Sequence, residues 1–203
     1  MTLATRAADG RAGHNLAMPD PDSFPAATRA ALPVRPAGLR VVVMGVAGCG
    51  KSAVGRLIAQ QLALPLIEGD DFHPPGNVGK MQRGVPLTDD DRAGWLLTLG
   101  AELARHRNGA VLTCSALKSA YRDRLRQAAA PLNFIYLRIT EEESLRRVGQ
   151  RAGHFYPVSL VASQFAALQD PTGEAGVLAL DAAAPADVLA QTAAQWLIAG
   201  QFQ

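Results

Sequence analysis

The sequence has little cysteine, few aromatic residues and almost no net charge. Only Cys49 and Cys114 are present among 203 residues, so we expect no disulfide framework, and a reducing compartment is indicated. Lysine and arginine number 20 against 18 acidic residues and form no basic run, and aromatic residues make up 5%, so nothing favours binding to nucleic acid or to a membrane surface. No apolar run has the length of a transmembrane helix. We therefore expect a cytoplasmic protein with no nucleic-acid and no membrane partner.

Residues 1–38 differ in composition from the remainder of the chain. This stretch is rich in alanine, proline, aspartate and arginine, shows no sustained hydrophobic period, and contains prolines that would break a long helix. It predicts a flexible N-terminal extension, followed by one folded domain over residues 39–203. The acidic residues of the stretch argue against a transit peptide, and translation that begins at Met18 is an alternative explanation of the extension.

A glycine-rich loop is the most informative motif of the chain. Residues 45–52 read GVAGCGKS, which matches the phosphate-binding pattern G-x-x-x-x-G-K-S, and an apolar strand precedes the loop while a helical spacing follows it. Glycines remove the Cβ atoms that would block a phosphate, backbone N–H groups form an anion nest, and the helix adds the positive end of its dipole. Lys51 is expected to reach the β- and γ-phosphates of ATP, and the Ser52 hydroxyl to ligate Mg²⁺. The predicted ATP-binding residues of the loop are Gly45, Val46, Ala47, Gly48, Cys49, Gly50, Lys51 and Ser52.

Strands alternate with helices along the rest of the domain. The predicted strands are residues 39–44, 64–67, 110–114, 133–139 and 177–180, and the predicted helices are residues 52–62, 89–107, 117–129, 141–151, 157–168 and 186–197. A polar segment with Gly76, Gly79, Gly84 and Pro86 precedes residue 89, and no helix or strand is assigned to it. This order predicts an α/β fold with a central parallel sheet of about five strands and helices on both faces. Ligands in such folds lie at the carboxyl ends of the strands.

Acidic residues and a histidine follow the second predicted strand. Asp70 stands where a carboxylate accepts a hydrogen bond from an attacking hydroxyl and aligns it with the γ-phosphate. Glu68 is a candidate for holding a Mg²⁺-bound water, and His73 for contacting a polyol or carboxylate substrate. A solvated turn is the alternative for each acid, and an ordinary loop histidine is the alternative for His73. No acidic residue follows the third strand at 113–115, which argues against a motor ATPase.

Arginines near the end of the predicted helix 141–151 suggest a lid. Arg147 and Arg151 are four residues apart and share one helix face, so a mobile lid would bring two cations to the transferring phosphoryl group. The alternative is a solvated helix face on which residues 141–143, all glutamate, pair with Arg146 and Arg147. The glutamates favour that alternative less for Arg151.

Several stretches resemble the gluconate kinases of the P-loop kinase superfamily. The resemblance covers about residues 40–198 and is most specific in the long stretches after the phosphate loop. It is carried by residues 45–52, 69–74 (GDDFHP), 77–96 (NVGKMQRGVPLTDDDRAGWL), 114–118 (CSALK), 121–126 (YRDRLR), 153–155 (GHF) and 163–165 (SQF).

The resemblance implies a P-loop kinase domain with a mobile lid and ATP-dependent phosphorylation of D-gluconate to 6-phospho-D-gluconate. Such a step feeds the pentose phosphate and Entner–Doudoroff routes. It also implies Mg²⁺ as a cofactor and a homodimer. By position, the implied catalytic residues are Asp70, Lys51 and Arg151, and the implied lid arginines, which also contact ATP, are Arg147 and Arg151. The implied substrate-binding residues are Asp70 and His73, with Lys80, Lys118 and Arg122 as candidates for binding the gluconate carboxylate. The implied metal-binding residues are Ser52 and Glu68.

Departures from the family pattern and two rival functions stay open at this point. Serine is common in the family where Ala47 and Cys49 stand, asparagine where Thr88 stands and proline where Gly94 stands. The thiol of Cys49 at a helix N-terminus suggests a site of oxidation that would obstruct phosphate binding, and the alternative, which we favour, is that Cys49 is a small filler residue. The rivals are another small-molecule P-loop kinase, of the shikimate or adenylylsulfate type, and a non-catalytic ATP-binding adaptor.

Overall fold

A computed structural model describes residues 35–150 and 157–200. The predicted extension 1–38 therefore lies almost wholly outside the described residues, as does the segment 151–156. The strands are β1 (Arg40–Met44), β2 (Leu66–Glu68), β3 (Ala110–Thr113), β4 (Leu132–Arg138) and β5 (Val177–Asp181). The helices are α1 (Lys51–Gln61), α2 (Pro75–Gln82), α3 (Asp89–Arg105), α4 (Ser119–Ala129), α5 (Glu141–Gly149), α6 (Val161–Ala167) and α7 (Ala186–Ala199).

The five strands form one parallel sheet in the order β2-β3-β1-β4-β5. Strand β1 is central because its apolar run lets both faces be covered, and its last four residues are fully buried. Alternate side chains enter opposite cores: Val41 and Val43 pack with α1 and α7, whereas Val42 and Met44 pack with α3 and α4. The predicted fold class is thereby confirmed. Within the described ranges, no helix is long and apolar enough to cross a membrane.

Helix α3 shows how the sequence sets an element boundary. Thr88 caps its N-terminus by accepting from the backbone N–H of Asp91 at 3.2 Å, and the Asp91 carboxylate accepts from the Thr88 N–H at 2.9 Å. Apolar side chains at a helical spacing, including Trp95 and Leu99, then face the core as predicted. This cap fixes the first turn of α3 at the edge of the cleft described below.

One helix was not expected from the sequence. Residues 75–82 form α2, whereas the sequence alone indicates no helix in this polar segment with its glycines at 76 and 79. Pro75 fits the first turn of a helix, and the buried side chains Asn77 and Met81 are one turn apart. The amide of Asn77 also donates to the Asp91 carbonyl at 2.8 Å, so tertiary contacts with α3 outweigh the low helix propensity of glycine. The predicted helix 157–168 is likewise divided, with a 3₁₀ turn at Val158–Leu160 before α6.

Candidate active site

A cleft lies at the carboxyl ends of β1, β2 and β3. It encloses about 960 Å³, counting the space that is open to solvent. The phosphate loop forms one wall, and the turn after β2 with parts of α3 and α6 forms the others. Its polar lining includes Lys51, Ser52, Asp70, His73, Arg92 and Gln164.

The phosphate loop has the backbone geometry that its glycines predict. Gly48 has a φ of +76°, and a Cβ there would lie 3.1 Å from the Ser144 carbonyl oxygen of α5, so only glycine fits without strain. Gly50, at a φ of +97°, leads directly into α1. Lys51 Nζ donates to the Val46 carbonyl at 3.0 Å, which places the ammonium group across the mouth of the loop. Of the predicted phosphate-binding residues, Ala47, Gly48, Gly50, Lys51 and Ser52 line the cleft. Gly45, Val46 and Cys49 do not, and the side chains of Val46 and Cys49 are buried.

Two helices hold one residue of this loop from opposite sides. The Ala47 N–H donates to Gln164 Oε1 of α6 at 2.6 Å, and the Ala47 carbonyl accepts from Ser144 Oγ of α5 at 2.8 Å. Gln164 belongs to the SQF motif, for which the sequence suggested no role, and the side chain of Ser144 is fully buried. A contact between a loop and a helix 117 residues away has no local sequence signal.

The two predicted metal residues are in direct contact. Ser52 Oγ donates to Glu68 Oε2 at 3.0 Å, and Thr113 Oγ1 donates to the same oxygen at 2.6 Å. The Gly69 N–H in turn donates to Thr113 Oγ1 at 3.3 Å, so Thr113 orients the carboxylate. A hydroxyl and a carboxylate are hard oxygen donors, which fits Mg²⁺. Among the described residues no group of three or more histidine, cysteine, aspartate or glutamate side chains is placed to hold a metal.

Asp70 and His73 both line the cleft, on the turn that follows β2. The Asp70 side chain makes no hydrogen bond or ion pair within residues 35–150 and 157–200, and it is exposed to the cleft. The His73 ring stacks on Trp95 with the centroids 4.2 Å apart and the planes at 13°, and Trp95 Nε1 donates to the Gly69 carbonyl at 2.8 Å. Burial lowers the pKa of His73, while the charge of Asp70 raises it and that of Arg92 lowers it further. His73 Nδ1 is buried and, among the described residues, has no hydrogen-bond partner.

The two lysines predicted to bind the substrate carboxylate are not among the side chains that line the cleft. Lys80 donates to Asp91 at 2.6 Å, and this hydrogen bond is the main reason why the pKa of Asp91 falls to about 2. Lys118 donates to both carboxylate oxygens of Asp89, at 2.6 and 2.8 Å, and lowers the pKa of Asp89. Each lysine therefore already has a carboxylate partner within the protein.

Arg122 is also placed away from the cleft. Its side chain is fully buried, and Nη1 donates to the carbonyls of Ala116 and Leu117 at 3.0 and 3.1 Å. Nε donates to Glu174 Oε2 at 3.0 Å, and Nη2 donates to the other carboxylate oxygen. The structure thus corrects the expectation of a substrate contact, because all of these donors are used internally.

Of the two arginines predicted to belong to a lid, only Arg147 lies among the described residues. Arg147 Nε donates to Glu143 at 2.6 Å and Nη2 to the Ala182 carbonyl at 3.0 Å, so it follows the alternative of an i,i+4 pair on a helix face. It is not among the residues that line the cleft. Arg151, and with it the predicted lid segment, lies outside the described residues.

The two cysteines are free and buried. Cys49 is 1% exposed and packs in the core between the sheet and α1, which removes the solvent access that the oxidation hypothesis needs. Burial raises the pKa of Cys114 to about 12, so this thiol is not poised as a nucleophile.

Known proteins of similar sequence are kinases. A family model described as an AAA domain matches residues 41–172. A gluconokinase of Gluconobacter oxydans (strain 621H) is 43% identical over 152 residues, which cover 73% of this chain and 85% of that protein. The crystal structure of a gluconokinase from Sinorhizobium meliloti 1021 superposes with a TM-score of 0.74 at 44% identity, over 83% of this chain and 98% of that chain. An APS kinase from Mycobacterium tuberculosis superposes with a TM-score of 0.59 over 80% of this chain and 98% of that chain, but at 20% identity it shows the fold alone.

Proposed function

The chain belongs to the gluconokinase family, and on that premise we propose how its cleft moves the γ-phosphoryl group of ATP to the terminal hydroxyl of D-gluconate. ATP-dependent phosphorylation of gluconate is the activity that its relatives share. The rival activities lose support because the shikimate and APS kinases share the fold at 20% identity or less. The adaptor alternative loses support because relatives at 43% identity are kinases.

The observation that carries the proposal is that Lys51 and Asp70 line one cleft. Lys51 follows the phosphate loop at the end of β1, and Asp70 stands at the carboxyl end of β2, which is separated from β1 by β3. The Asp70 carboxylate has no hydrogen-bond or ion-pair partner among the described residues. A hydroxyl held between the two groups faces a phosphate on one side and a proton acceptor on the other.

In the transfer itself, the hydroxyl oxygen forms a new P–O bond as the bond to the ADP oxygen breaks. The hydroxyl proton passes to the Asp70 carboxylate and from there to water, so the charge and atoms of the two substrates balance those of 6-phospho-D-gluconate and ADP. Lys51 and the N–H groups of the loop stabilise the negative charge on the phosphoryl oxygens. His73, held against Trp95 in the lining of the cleft, is placed to contact a hydroxyl of the acceptor.

The metal site is proposed to be the Ser52 hydroxyl, with Glu68 holding a metal-bound water. Mg²⁺ bound there supplies charge neutralisation of the β- and γ-phosphates. Thr113 fixes the orientation of the Glu68 carboxylate through its 2.6 Å hydrogen bond. We further propose that the enzyme is a cytoplasmic homodimer, as the resemblance implies, which light scattering and cell fractionation would test.

The test is a coupled assay of ADP release with Mg-ATP and D-gluconate, other sugar acids, shikimate, glycerate or no acceptor. Asp70→Asn should lower kcat by about 10²- to 10⁴-fold, the range for loss of a general base, while ATP still binds. Asp71→Asn is the matched control because Asp71 is the adjacent, exposed carboxylate and does not line the cleft. Full activity of Asp70→Asn would refute the role of Asp70, and stimulation by a different acid would move the acceptor while keeping the mechanism.

A further inference from the structure

The acceptor of the proposed reaction is an anion, and the cleft must match its charge. A carboxylate that leaves water without a cationic partner is strongly disfavoured. Among the side chains described as lining the cleft, the two permanent cations are Lys51 and Arg92. Lys51 is bound to the Val46 carbonyl within the phosphate loop, where ATP requires it. Arg92 is therefore the cation of the described lining that the phosphate site does not use.

The contacts of Arg92 differ from those of the other basic candidates. Lys80, Lys118 and Arg122 each pair with a carboxylate of the protein. Arg92 Nη1 instead donates to the backbone carbonyl of Leu87, with a longer contact of 3.5 Å to that of Thr88. Within residues 35–150 and 157–200, no carboxylate lies within ion-pair distance of Arg92. Among these residues its charge is therefore not neutralised by a carboxylate, and it is available to an anionic ligand in the cleft.

The free edge of the Arg92 guanidinium has the shape of a carboxylate site. With Nη1 used by the backbone, Nε and Nη2 have no hydrogen-bond partner among the described residues, and these two atoms form a planar fork that matches two carboxylate oxygens. Arg122 uses this same edge to hold Glu174 in the interior of the protein. The Tyr121 ring, whose centroid is 5.9 Å from Arg92 Cζ, packs beside the group. Arg92 is half-buried, so screening by solvent is reduced.

Arg92 also lies on the acceptor side of the cleft. It is one turn before Trp95 on α3, and Trp95 stacks on His73. Asp70, His73 and Arg92 all line the same cleft. The charges of Asp70 and Arg92 also act on the pKa of His73, after the larger effect of burial, in keeping with their proximity to this ring. A polyhydroxy acid held by its carboxylate at one charge can therefore present a hydroxyl near the other.

We infer that Arg92 binds the carboxylate of the acceptor and thereby makes the enzyme selective for sugar acids over neutral polyhydroxy compounds. This inference rests on the proposed gluconate kinase activity and deepens it. It assigns to Arg92 the role that the sequence suggested for Lys80, Lys118 and Arg122.

The experiment compares D-gluconate with D-gluconamide, in which a neutral amide replaces the carboxylate, as substrates or as competitive inhibitors. Arg92→Gln should raise the KM for gluconate by roughly 10- to 100-fold, as expected for the loss of a hydrogen bond to a charged group. The KM for ATP should stay unchanged, and the preference for gluconate over the amide should disappear. Arg92→Lys should keep part of that preference because it retains the charge but loses the fork. Arg105→Gln is the control, since Arg105 is an exposed residue at the other end of α3.

Four outcomes decide the matter. An unchanged KM for gluconate in Arg92→Gln overturns the inference, as does an equal loss for gluconate and the amide, which would mean that Arg92 only shapes the cleft. A large KM effect in Lys80→Gln or Lys118→Gln, with none in Arg92→Gln, places the carboxylate elsewhere. If wild-type enzyme shows no gluconate-dependent ADP release, the proposed function fails first, before any variant is compared.

Discussion

Replacing Arg122 with methionine tests whether this residue is structural or binds substrate. The side chain is fully buried and donates to two carbonyls and to both oxygens of Glu174. Removal of one partner of a buried ion pair typically costs about 3–5 kcal/mol of the free energy of unfolding. Glu174 is 27% exposed and keeps Arg126 at 2.9 Å as a second partner, so we expect the lower end, about 3 kcal/mol.

Urea denaturation followed by tryptophan fluorescence measures this loss. Glu174→Gln and the double variant complete a double-mutant cycle, and the double variant should be more stable than the sum of the single losses predicts. Because Arg122 is buried more completely than Glu174, Glu174→Gln should be at least as destabilising as Arg122→Met. The KM for gluconate measured at low temperature, where Arg122→Met is still folded, should stay within a few-fold of wild type.

The same pair predicts a dependence of stability on pH. The hydrogen bond from Arg122 is the largest cause that lowers the pKa of Glu174. Its stabilisation is therefore complete above the unfolded-state pKa of about 4.3 and is lost as the pH falls through the lower folded-state pKa. Arg122→Met should show a shallower loss over that acidic range. A stability loss below about 1 kcal/mol, well under the cost of breaking a buried pair, together with a large rise in the KM for gluconate, would refute this reasoning and restore Arg122 as a substrate residue.

Three further substitutions probe the phosphate side of the cleft. Thr113→Val removes the hydroxyl that orients Glu68, so it should lower the free energy of unfolding by about 2 kcal/mol and raise the Mg²⁺ concentration needed for half-maximal activity. Thr113→Ser keeps the hydroxyl and should keep the wild-type stability and Mg²⁺ requirement. Gln164→Glu keeps an acceptor for the loop N–H but places a negative charge beside the phosphates, so the Kd for ATP should rise on the order of 10-fold, more than in the uncharged Gln164→Met. Gly48→Ala forces a left-handed φ on alanine at a point where α5 approaches the loop, and should cost about 1–2 kcal/mol, whereas Gly76→Ala meets open space.

Each of these three predictions would be contradicted by a specific result. A wild-type Mg²⁺ requirement in Thr113→Val would mean that Glu68 is not at the metal. ATP binding of Gln164→Glu equal to wild type would place the phosphates away from α6. Equal stability of Gly48→Ala and Gly76→Ala would mean that the loop adapts without strain.

Local patterns predicted the fold and the nucleotide side of the site well. The phosphate loop, the five strands and the apolar face of α3 follow from glycine spacing and hydrophobic period, which depend on near neighbours in the chain. Helix α2 was missed because its stability comes from packing of Asn77 and Met81 rather than from propensity.

The acceptor side was predicted less well, because charge alone does not reveal which basic residue is free. Lys118 and Arg122 follow a strand end, as substrate residues often do, yet partners distant in sequence already pair with both. Asp89 is 29 residues from Lys118, and Glu174 is 52 residues from Arg122, so only the folded chain shows these pairs. Arg92 follows three aspartates at the start of α3, and in the sequence this pattern is typical of an exposed helix terminus rather than of a binding site.

The two hydrogen bonds of Ala47 connect the phosphate loop to two helices. Helices α5 and α6 lie on either side of residues 151–156 in the chain, and each makes a hydrogen bond to the backbone of the same loop residue. If a bound nucleotide moved Ala47, α5 and α6 would have to follow or lose these hydrogen bonds. Thermodynamic linkage would make this coupling reciprocal, because an arrangement of α5 and α6 that is favoured by the nucleotide favours nucleotide binding by the same factor. The positions of α5 and α6 and the occupancy of the phosphate site would then belong to one equilibrium.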